Sequence, residues 1–413
     1  MSDLKYNAAL KLRSKEYKQL MSSTIDEFNN NGKKTVLITC DAFFPVVDGV
    51  VNVIDNYAKL LAADMNVMML VPSYKGKVYM QGYPAIGIIS GFSESLHNEV
   101  PLPMLDARLG KLLKKLRIDI IHCHSPFTVG RVAMKLHKRR KIPLVTTFHS
   151  QYKRDFEQHA KLLAPALMRY IMRCYNNSDE VWTMHTASRD TLISYGYKGK
   201  VLLMPNGTSL LPSSDYEKER LQARNKFAVD DDTFLLIFVG RLVATKNILF
   251  VADVLAELKN RGIKFKMIFA GDGPDREKLV KQIEKDNLQD DVTLLGQMSR
   301  EQIAEIYSAA DLFLFPSLYD VSSLVQIEAA SRYTPTVFVE GSVTSCTVSD
   351  GVNGYIFPCS VQEFADGICN VLQNKEKMKE VSENAYKDLY ITWDYLVGKV
   401  RDRYLELIEN SKK

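Results

Sequence analysis

A recurrence of short, largely apolar runs narrows most sharply what this chain can fold into. TVLITC (35–40), VMMLVP (67–72), IDIIHC (118–123) and PLVTTF (143–148) are followed, after a polar interval, by TFLLIFVG (233–240), FKMIFAG (265–271), VTLLG (292–296), LFLFP (312–316) and TPTVFVE (334–340). Runs of this length, rich in β-branched and aromatic residues, are the pattern of strands buried on both faces, which is the pattern of parallel sheets. Between them lie amphipathic stretches such as VNVIDNYAKLLA, LDARLGKLLKKLR and VGRVAMKLHKRR, and the spans 247–261, 274–286, 299–309 and 322–332. Strand and helix alternating at this rhythm give βαβ units and doubly wound α/β sheets.

At 413 residues, two such sheets fit the length better than one core. The expected organisation is a helical arm over 1–31, a first Rossmann-like domain over 32–207, a linker over 208–232, a second Rossmann-like domain over 233–390, and a last helix, 391–413, crossing back to the first. In the arm, Leu10, Tyr17, Leu20, Met21, Ile25 and Phe28 recur at roughly helical spacing. The linker reading rests on the turn-forming and charged residues of MPNGTSLLPSSDYEKERLQARNKFAVDDD.

Several function classes drop out. No apolar run reaches the ~20 residues a membrane span needs, and the opening MSDLKYNAALKLRSKEYK has no signal-peptide core. A cytoplasmic location is expected, extending to the inner face of the cell membrane if the basic segments 111–117 and 135–141 hold anionic lipid. That contact requires their leucines and cations to share a face. Two short segments and a net charge of +5 are too little for a nucleic-acid footprint. The six cysteines are scattered without CxxC spacing, so buried free thiols are expected and a zinc site is not. Neither first strand is followed by GxGxxG, which removes a dinucleotide-binding dehydrogenase.

In open parallel sheets, ligands lie beyond the carboxyl ends of the strands. Four loops there carry chemistry. CDAFFPVVDG sets Gly49 where the chain turns into a helix, leaving room for close backbone approach and helix N–H groups for an anion. HCHSPF and TTFHSQY set His122, His124 and His149 at strand ends, where an imidazole can meet a substrate hydroxyl. GRLVATK carries Arg241 and Lys246, a bidentate and a point cation suited to a diphosphate. FPSLYDVSSLVQIEAAS sets Asp320 before a helix capped by Ser322 or Ser323, with Glu328 further along it. A capping arrangement with one buried, salt-bridged glutamate would give this last stretch the same sequence.

Taken in order, these loops resemble the retaining glycosyltransferases of family four, which have the two-lobed GT-B fold. The likeness runs from about Thr35 onward, through PVVDGVVNV, HSPF, TTFHSQY, MPNG, GRLVATK, AGDGP, LLGQMSREQIAEIYSAADLFLFPS and DGVNGYIF. It implies two lobes facing across a cleft. Arg241 and Lys246 would bind the diphosphate of a nucleotide sugar, helped by backbone N–H groups near Ser323 and Leu324. Glu328 would bind the donor ribose, Asp320 the sugar hydroxyls, the Gly296–Met298 turn the base, and Gly49 the phosphates; His149 would approach the transferred sugar. The chain departs from the pattern in several places: Asp320 stands for the usual glutamate, the VSS after it stands where GFG is frequent, and Asp48 and Asn247 stand where glycines are common.

The resemblance implies a metal-independent hexosyltransferase with no cofactor. Its donor would be a nucleotide sugar, with UDP-glucose the first choice, and its acceptor a lipid, lipid-linked glycan or polysaccharide. HSPFTVG and TFHSQY also resemble loops of bacterial diacylglycerol glucosyltransferases. The rivals on the same fold are a non-catalytic partner of another glycosyltransferase and a nucleotide-sugar epimerase. Oligomeric state is not legible at this level.

Overall fold

Every residue of Thr35–Thr39 and of Asn66–Pro72 is buried, as strands covered on both faces must be. The computed structural model describes residues 6–46, 48–93, 98–150, 152–159, 161–213, 215–318, 320 and 323–411. The chain divides into two units, residues 1–205 with 393–413, and residues 206–392.

The first unit is built on a seven-stranded parallel sheet in the order Val201–Leu203, Glu180–Thr183, Leu144–Thr147, Ile120–Cys123, Thr35–Thr39, Asn66–Pro72, Ala85–Ile88. The chain starts at Thr35–Thr39, winds one way to Ala85–Ile88, then returns to Ile120–Cys123 and winds the other way. The reversal lies between Thr35–Thr39 and Ile120–Cys123, and there the loops after the two strands part to opposite faces. The helices Gly49–Leu61 and Thr128–Arg140 leave from those loops.

Residues 1–31 are not a helical arm throughout. Ala9–Lys11 is a strand, antiparallel to Lys77–Tyr79, and the helix spans Lys15–Asn30. Tyr17, Met21, Ile25 and Phe28 are buried, whereas Leu10 lies in the strand. The segment is stitched to the sheet edge by Tyr17, whose hydroxyl donates to Ala85 O at 3.0 Å and accepts from Gly87 N at 2.9 Å. The last helix, Trp393–Asn410, belongs to this unit, packing on Gly49–Leu61 and burying Trp393, Leu396, Val397, Val400, Tyr404 and Ile408.

The second unit has a six-stranded parallel sheet in the order Val292–Gly296, Phe265–Ala270, Phe234–Val239, Leu312–Leu314, Thr336–Val339, Tyr355–Phe357. Its reversal lies between Phe234–Val239 and Leu312–Leu314. The stretch 208–232, read as a linker, is instead folded into this unit and holds the helix Tyr216–Lys226. Arg220 and Arg224 of that helix bind the two oxygens of Asp311 at 2.5 and 3.0 Å, and Asp311 also accepts from Leu235 N. The polar composition that suggested a tether is a buried ion-pair seam.

The cysteines divide evenly. Cys40, Cys123 and Cys174 are buried, Cys346 and Cys359 are exposed and Cys369 lies between, all as free thiols.

Candidate functional site

In the second unit most of the expected donor-binding residues follow the two strands that flank the sheet reversal, and Met298 follows the edge strand Val292–Gly296. Arg241 follows Phe234–Val239 directly, is exposed, and has no side-chain partner among the described residues. Lys246 ends the 3-10 turn Ala244–Lys246, after which Asn247 adopts a left-handed φ of 58° before the helix Ile248–Asn260. That conformation favours glycine, with asparagine the usual substitute.

Two glycines hold this loop in place. A Cβ on Gly271 would lie 1.9 Å from Gly240 O, and one on Gly273 would lie 2.3 Å from Leu242 O. The AGDGP and GRL loops therefore pack backbone against backbone. Leu242 N donates to Asp272 O, Asp275 N to Leu242 O, and Ala244 N to Asp275 Oδ2.

Lys246 does not stand free. Its Nζ lies 2.6 Å from each oxygen of Asp320 and 4.9 Å from the Phe315 ring centre. Asp320 thus occupies the cation expected to serve a diphosphate. Ser323 caps the helix Leu324–Ala330, its Oγ accepting from Gln326 N at 3.2 Å. Ser322, the alternative cap, lies outside the described residues. Leu324 opens that helix, leaving early N–H groups without helical acceptors.

Glu328 lies half-buried on the same helix, and its carboxylate makes no ion pair among the described residues. Burial raises its pKa to about 7, against the opposing charge of Arg300. A structural glutamate held by a salt bridge is not what stands here; this carboxyl group is partly desolvated and available. Met298 is half-buried against the core beside Gly296, whose φ is 71°. Arg241, Lys246, Asp320, Ser323, Leu324, Glu328 and Met298 therefore share the carboxyl-end side of one sheet. Their chemistry is two cations, two carboxylates and helix-start N–H groups, which suits a ligand bearing phosphates and hydroxyls.

In the first unit Gly49 opens its helix in open space, but Asp48 caps that helix, its Oδ1 accepting from Val51 N at 2.8 Å. One N–H expected to be free for an anion is therefore taken. Asp41, not singled out by the sequence reading, does the same for Thr128–Arg140: its Oδ1 accepts from Thr128 N, Thr128 Oγ1 and Val129 N. Burial lifts its pKa to about 6, and its Oδ2 is buried without a partner among the described residues.

His149 sits just beyond Leu144–Thr147, as expected for a strand-end group. His122 does not face outward: it lies in its strand, fully buried, with Nε2 2.7 Å from Thr147 Oγ1 and Nδ1 bonded to the hydroxyl of Tyr404. His124 joins the other two, Nε2 at 3.2 Å from His122 Nδ1 and Nδ1 at 2.9 Å from His149 Nε2. Burial holds all three below the usual imidazole range, His149 at about 4. The nitrogens bind one another rather than converging on a point, and no cluster able to hold a metal occurs among the described residues.

The basic segment 111–117 also differs from expectation. In Ala107–Lys115, Leu109 and Leu113 are buried while Lys111, Lys114 and Lys115 are exposed, so leucines and cations lie on opposite faces. Two exposed apolar residues stand just before that helix: Met104 is 91% and Leu105 70% exposed. Among the described residues no helix is long and apolar enough to cross a membrane.

Comparison with known proteins places these units. Residues 219–388 match the family "Glycosyl transferases group 1", and residues 47–210 match "Glycosyltransferase Family 4". The chain is 26% identical over 397 residues to alpha-monoglucosyldiacylglycerol synthase of Acholeplasma laidlawii, covering 91% of this chain and 98% of that one. It is 27% identical over 306 residues to the Streptococcus pneumoniae protein of the same name, covering 72% and 68%. Among solved structures, Anabaena Alr3699/HepE in complex with UDP superimposes with a TM-score of 0.73 at 18% identity, over 90% of this chain and all of that one. Sucrose-phosphate synthase from Thermosynechococcus elongatus gives 0.71 at 19%, over 92% and 100%. The fold is GT-B.

Proposed function

Because the chain belongs to the group 1 glycosyl transferases and is a glycosyltransferase, we propose that it moves a hexose from UDP-glucose, or another UDP-hexose, to a lipid acceptor with retention of configuration. The observation that carries this reading is the set that follows the two diverging strands of the second unit: Arg241 unpaired, Lys246 paired with one carboxylate, that of Asp320, and Glu328 without an ion pair, all among the described residues. Arg241 and Lys246 are assigned to the diphosphate, Glu328 to the ribose, Asp320 to the sugar hydroxyls and His149 to the transferred sugar. Ser323, Leu324, Met298 and Gly49 are assigned backbone contacts with the donor.

The bond between the anomeric carbon and the diphosphate oxygen breaks, and its electron pair leaves with the nucleoside diphosphate. The acceptor oxygen bonds to the same face of the sugar, and its proton passes to the departing phosphate oxygen. Charge growing on that phosphate is what the two cations stabilise, and preorganised charge of this kind supplies the largest share of catalysis in many enzymes. With Arg241 and Lys246 in that role the reading assigns no metal and no cofactor. The named lipid-glucosylating relatives support the acceptor class, as do the exposed Met104 and Leu105 beside a cationic helix face. We place the protein at an anionic membrane surface, held from the cytoplasmic side by those residues.

The test is transfer from radiolabelled UDP-glucose to diacylglycerol in mixed micelles containing EDTA, with NMR of the product. A glycolipid with the donor's anomeric configuration is expected. An inverted product would refute the same-face mechanism, and label found only in water-soluble glycan would refute the lipid acceptor. Replacing Met104 and Leu105 by serine should weaken binding to anionic liposomes; unchanged binding would remove them from the membrane contact.

A further inference from the structure

The first unit contains a hydrogen-bonded chain of which the transfer mechanism uses only the last member, His149: Tyr404 and Thr147 to His122, His122 to His124, His124 to His149. It is internal to one unit and spans most of its sequence, since Tyr404 comes from the last helix. Tyr404 is fully buried, stacked on Trp182 with ring centres 5.7 Å apart and planes at 15°. His122 packs edge-on against both rings.

The geometry points to Tyr404 as a positioning residue that sets, through His122 and His124, which nitrogen of His149 carries its proton. This rests on the assignment of His149 to the transferred sugar. Near neutral pH each buried imidazole has one N–H and one lone pair, so the order of protons along the chain has only two complete forms. In one, the Tyr404 hydroxyl donates to His122 Nδ1, and His122 donates from Nε2 to Thr147 Oγ1. His124 then holds its proton on Nε2 and shares the one His122 Nδ1 lone pair with the Tyr404 hydroxyl as a three-centre bond, because a bare nitrogen 3.2 Å from that lone pair would be repelled. Its Nδ1 is left bare and is satisfied by the Nε2–H of His149. His149 is then left with a bare Nδ1, an acceptor with no partner among the described residues.

In the other form every bond reverses: Thr147 donates to His122 Nε2, and His149 ends as an Nδ1–H donor. Each form leaves one hydroxyl proton without an acceptor in the chain, that of Thr147 in the first and that of Tyr404 in the second. A phenol is the stronger donor, and Tyr404 is the more deeply buried of the two, so its proton is the one that must be placed. The first form follows. His149 then offers a neutral lone pair, able to accept from a sugar hydroxyl and carrying no positive charge toward a sugar that itself becomes positive during transfer. Trp393–Asn410 thereby joins the donor-sugar chemistry through a residue far from it in sequence.

The test is a long-range proton–nitrogen NMR spectrum of histidine-labelled protein, with no ligand, near pH 7.5. His149 is expected with Nε2 protonated and Nδ1 bare; a proton on Nδ1 overturns the proposal without recourse to any variant. Tyr404→Phe keeps the ring and removes the hydroxyl. It should mix the tautomers of His122 and His149 and lower kcat about tenfold, the lower end of the range known for hydrogen-bond partners that orient metal-binding histidines, with donor KM within about twofold. Thr147→Val should leave the His149 tautomer in place. A folded Tyr404→Phe protein with wild-type histidine signals and kcat, altered only in its unfolding midpoint, overturns the proposal. His149→Ala with wild-type kcat would instead refute the assignment of His149 to the sugar, and the spectrum would still decide the chain of bonds.

Discussion

Asp320→Asn should make the protein bind UDP more tightly while transferring sugar more slowly. Both carboxylate oxygens of Asp320 lie 2.6 Å from Lys246 Nζ, in a pair whose side chains are 21% and 23% exposed. A nucleotide whose diphosphate uses Lys246 has to displace that carboxylate. Ion pairs at exposed positions are worth 0.2–1 kcal/mol, and this bidentate, partly covered one belongs near the top, about 1 kcal/mol. Since 1.4 kcal/mol is a factor of ten, removing the competitor should raise UDP affinity about fivefold. Asparagine keeps the shape but loses the charge, so the sugar hydroxyls lose an ionised acceptor and kcat should fall.

Calorimetric titration with UDP reads the first effect and a transfer assay the second. The gain should shrink as salt is raised from ~10 mM to ~150 mM, because screening already weakens the pair in the wild type. It should also vanish in a Lys246→Met background, which closes a double-mutant cycle on the two residues. UDP affinity in Asp320→Asn equal to or below wild type would refute the competition.

Other expectations rest on separate features. Affinity for UDP-glucose, whose diphosphate has no titration near neutrality, should fall as pH drops from 8 to 6, because Glu328, at about 7, loses the charge that receives ribose hydroxyls; Glu328→Gln should bind more weakly and show a flat profile by calorimetry. Gly271→Ala should destabilise by about 3 kcal/mol or more in urea unfolding, because its Cβ would sit 1.9 Å from Gly240 O at a φ of 138°; a loss below about 1 kcal/mol would mean the two loops can part. Stability should fall as pH drops below about 6.5, since the unfolded chain then takes up protons that buried His122, His124 and His149 refuse, each contributing up to about 1.4 kcal/mol per pH unit. Asp41 and Glu328, raised to about 6 and about 7, act in the opposite sense and offset part of that loss; an unfolding midpoint that is flat or rising from pH 6.5 to 5 would contradict it.

Where strands are fully buried the sequence was readable almost to the residue: TVLITC became Thr35–Thr39, and LFLFP became Leu312–Leu314. Ala85–Ile88 and Val201–Leu203 escaped because three or four residues leave too little periodicity to separate strand from loop. Composition misled over 208–232, since a helix docked through Arg220, Arg224 and Asp311 is as polar as a tether. The same limit applied to the basic segments: leucine and lysine counts do not say which face of Ala107–Lys115 is covered. The positions of Arg241 and Lys246 after one strand, and of Glu328 on the helix after another, were legible because the strand order was. Their pairing was not, and neither was the bond from His122 to Tyr404, because nothing local to a strand tells which distant helix will cover it.

The central claim, that the diverging loops of the second unit are a nucleotide-sugar socket, is tested most directly by titrating UDP-glucose, in EDTA, into wild type, Arg241→Ala and Glu328→Ala while following heat. Saturable binding by wild type, weakened by about tenfold or more in each variant with its fold intact, is the expected result. Equal binding by all three proteins, or none by a folded wild type across UDP-, GDP- and ADP-sugars, would contradict it.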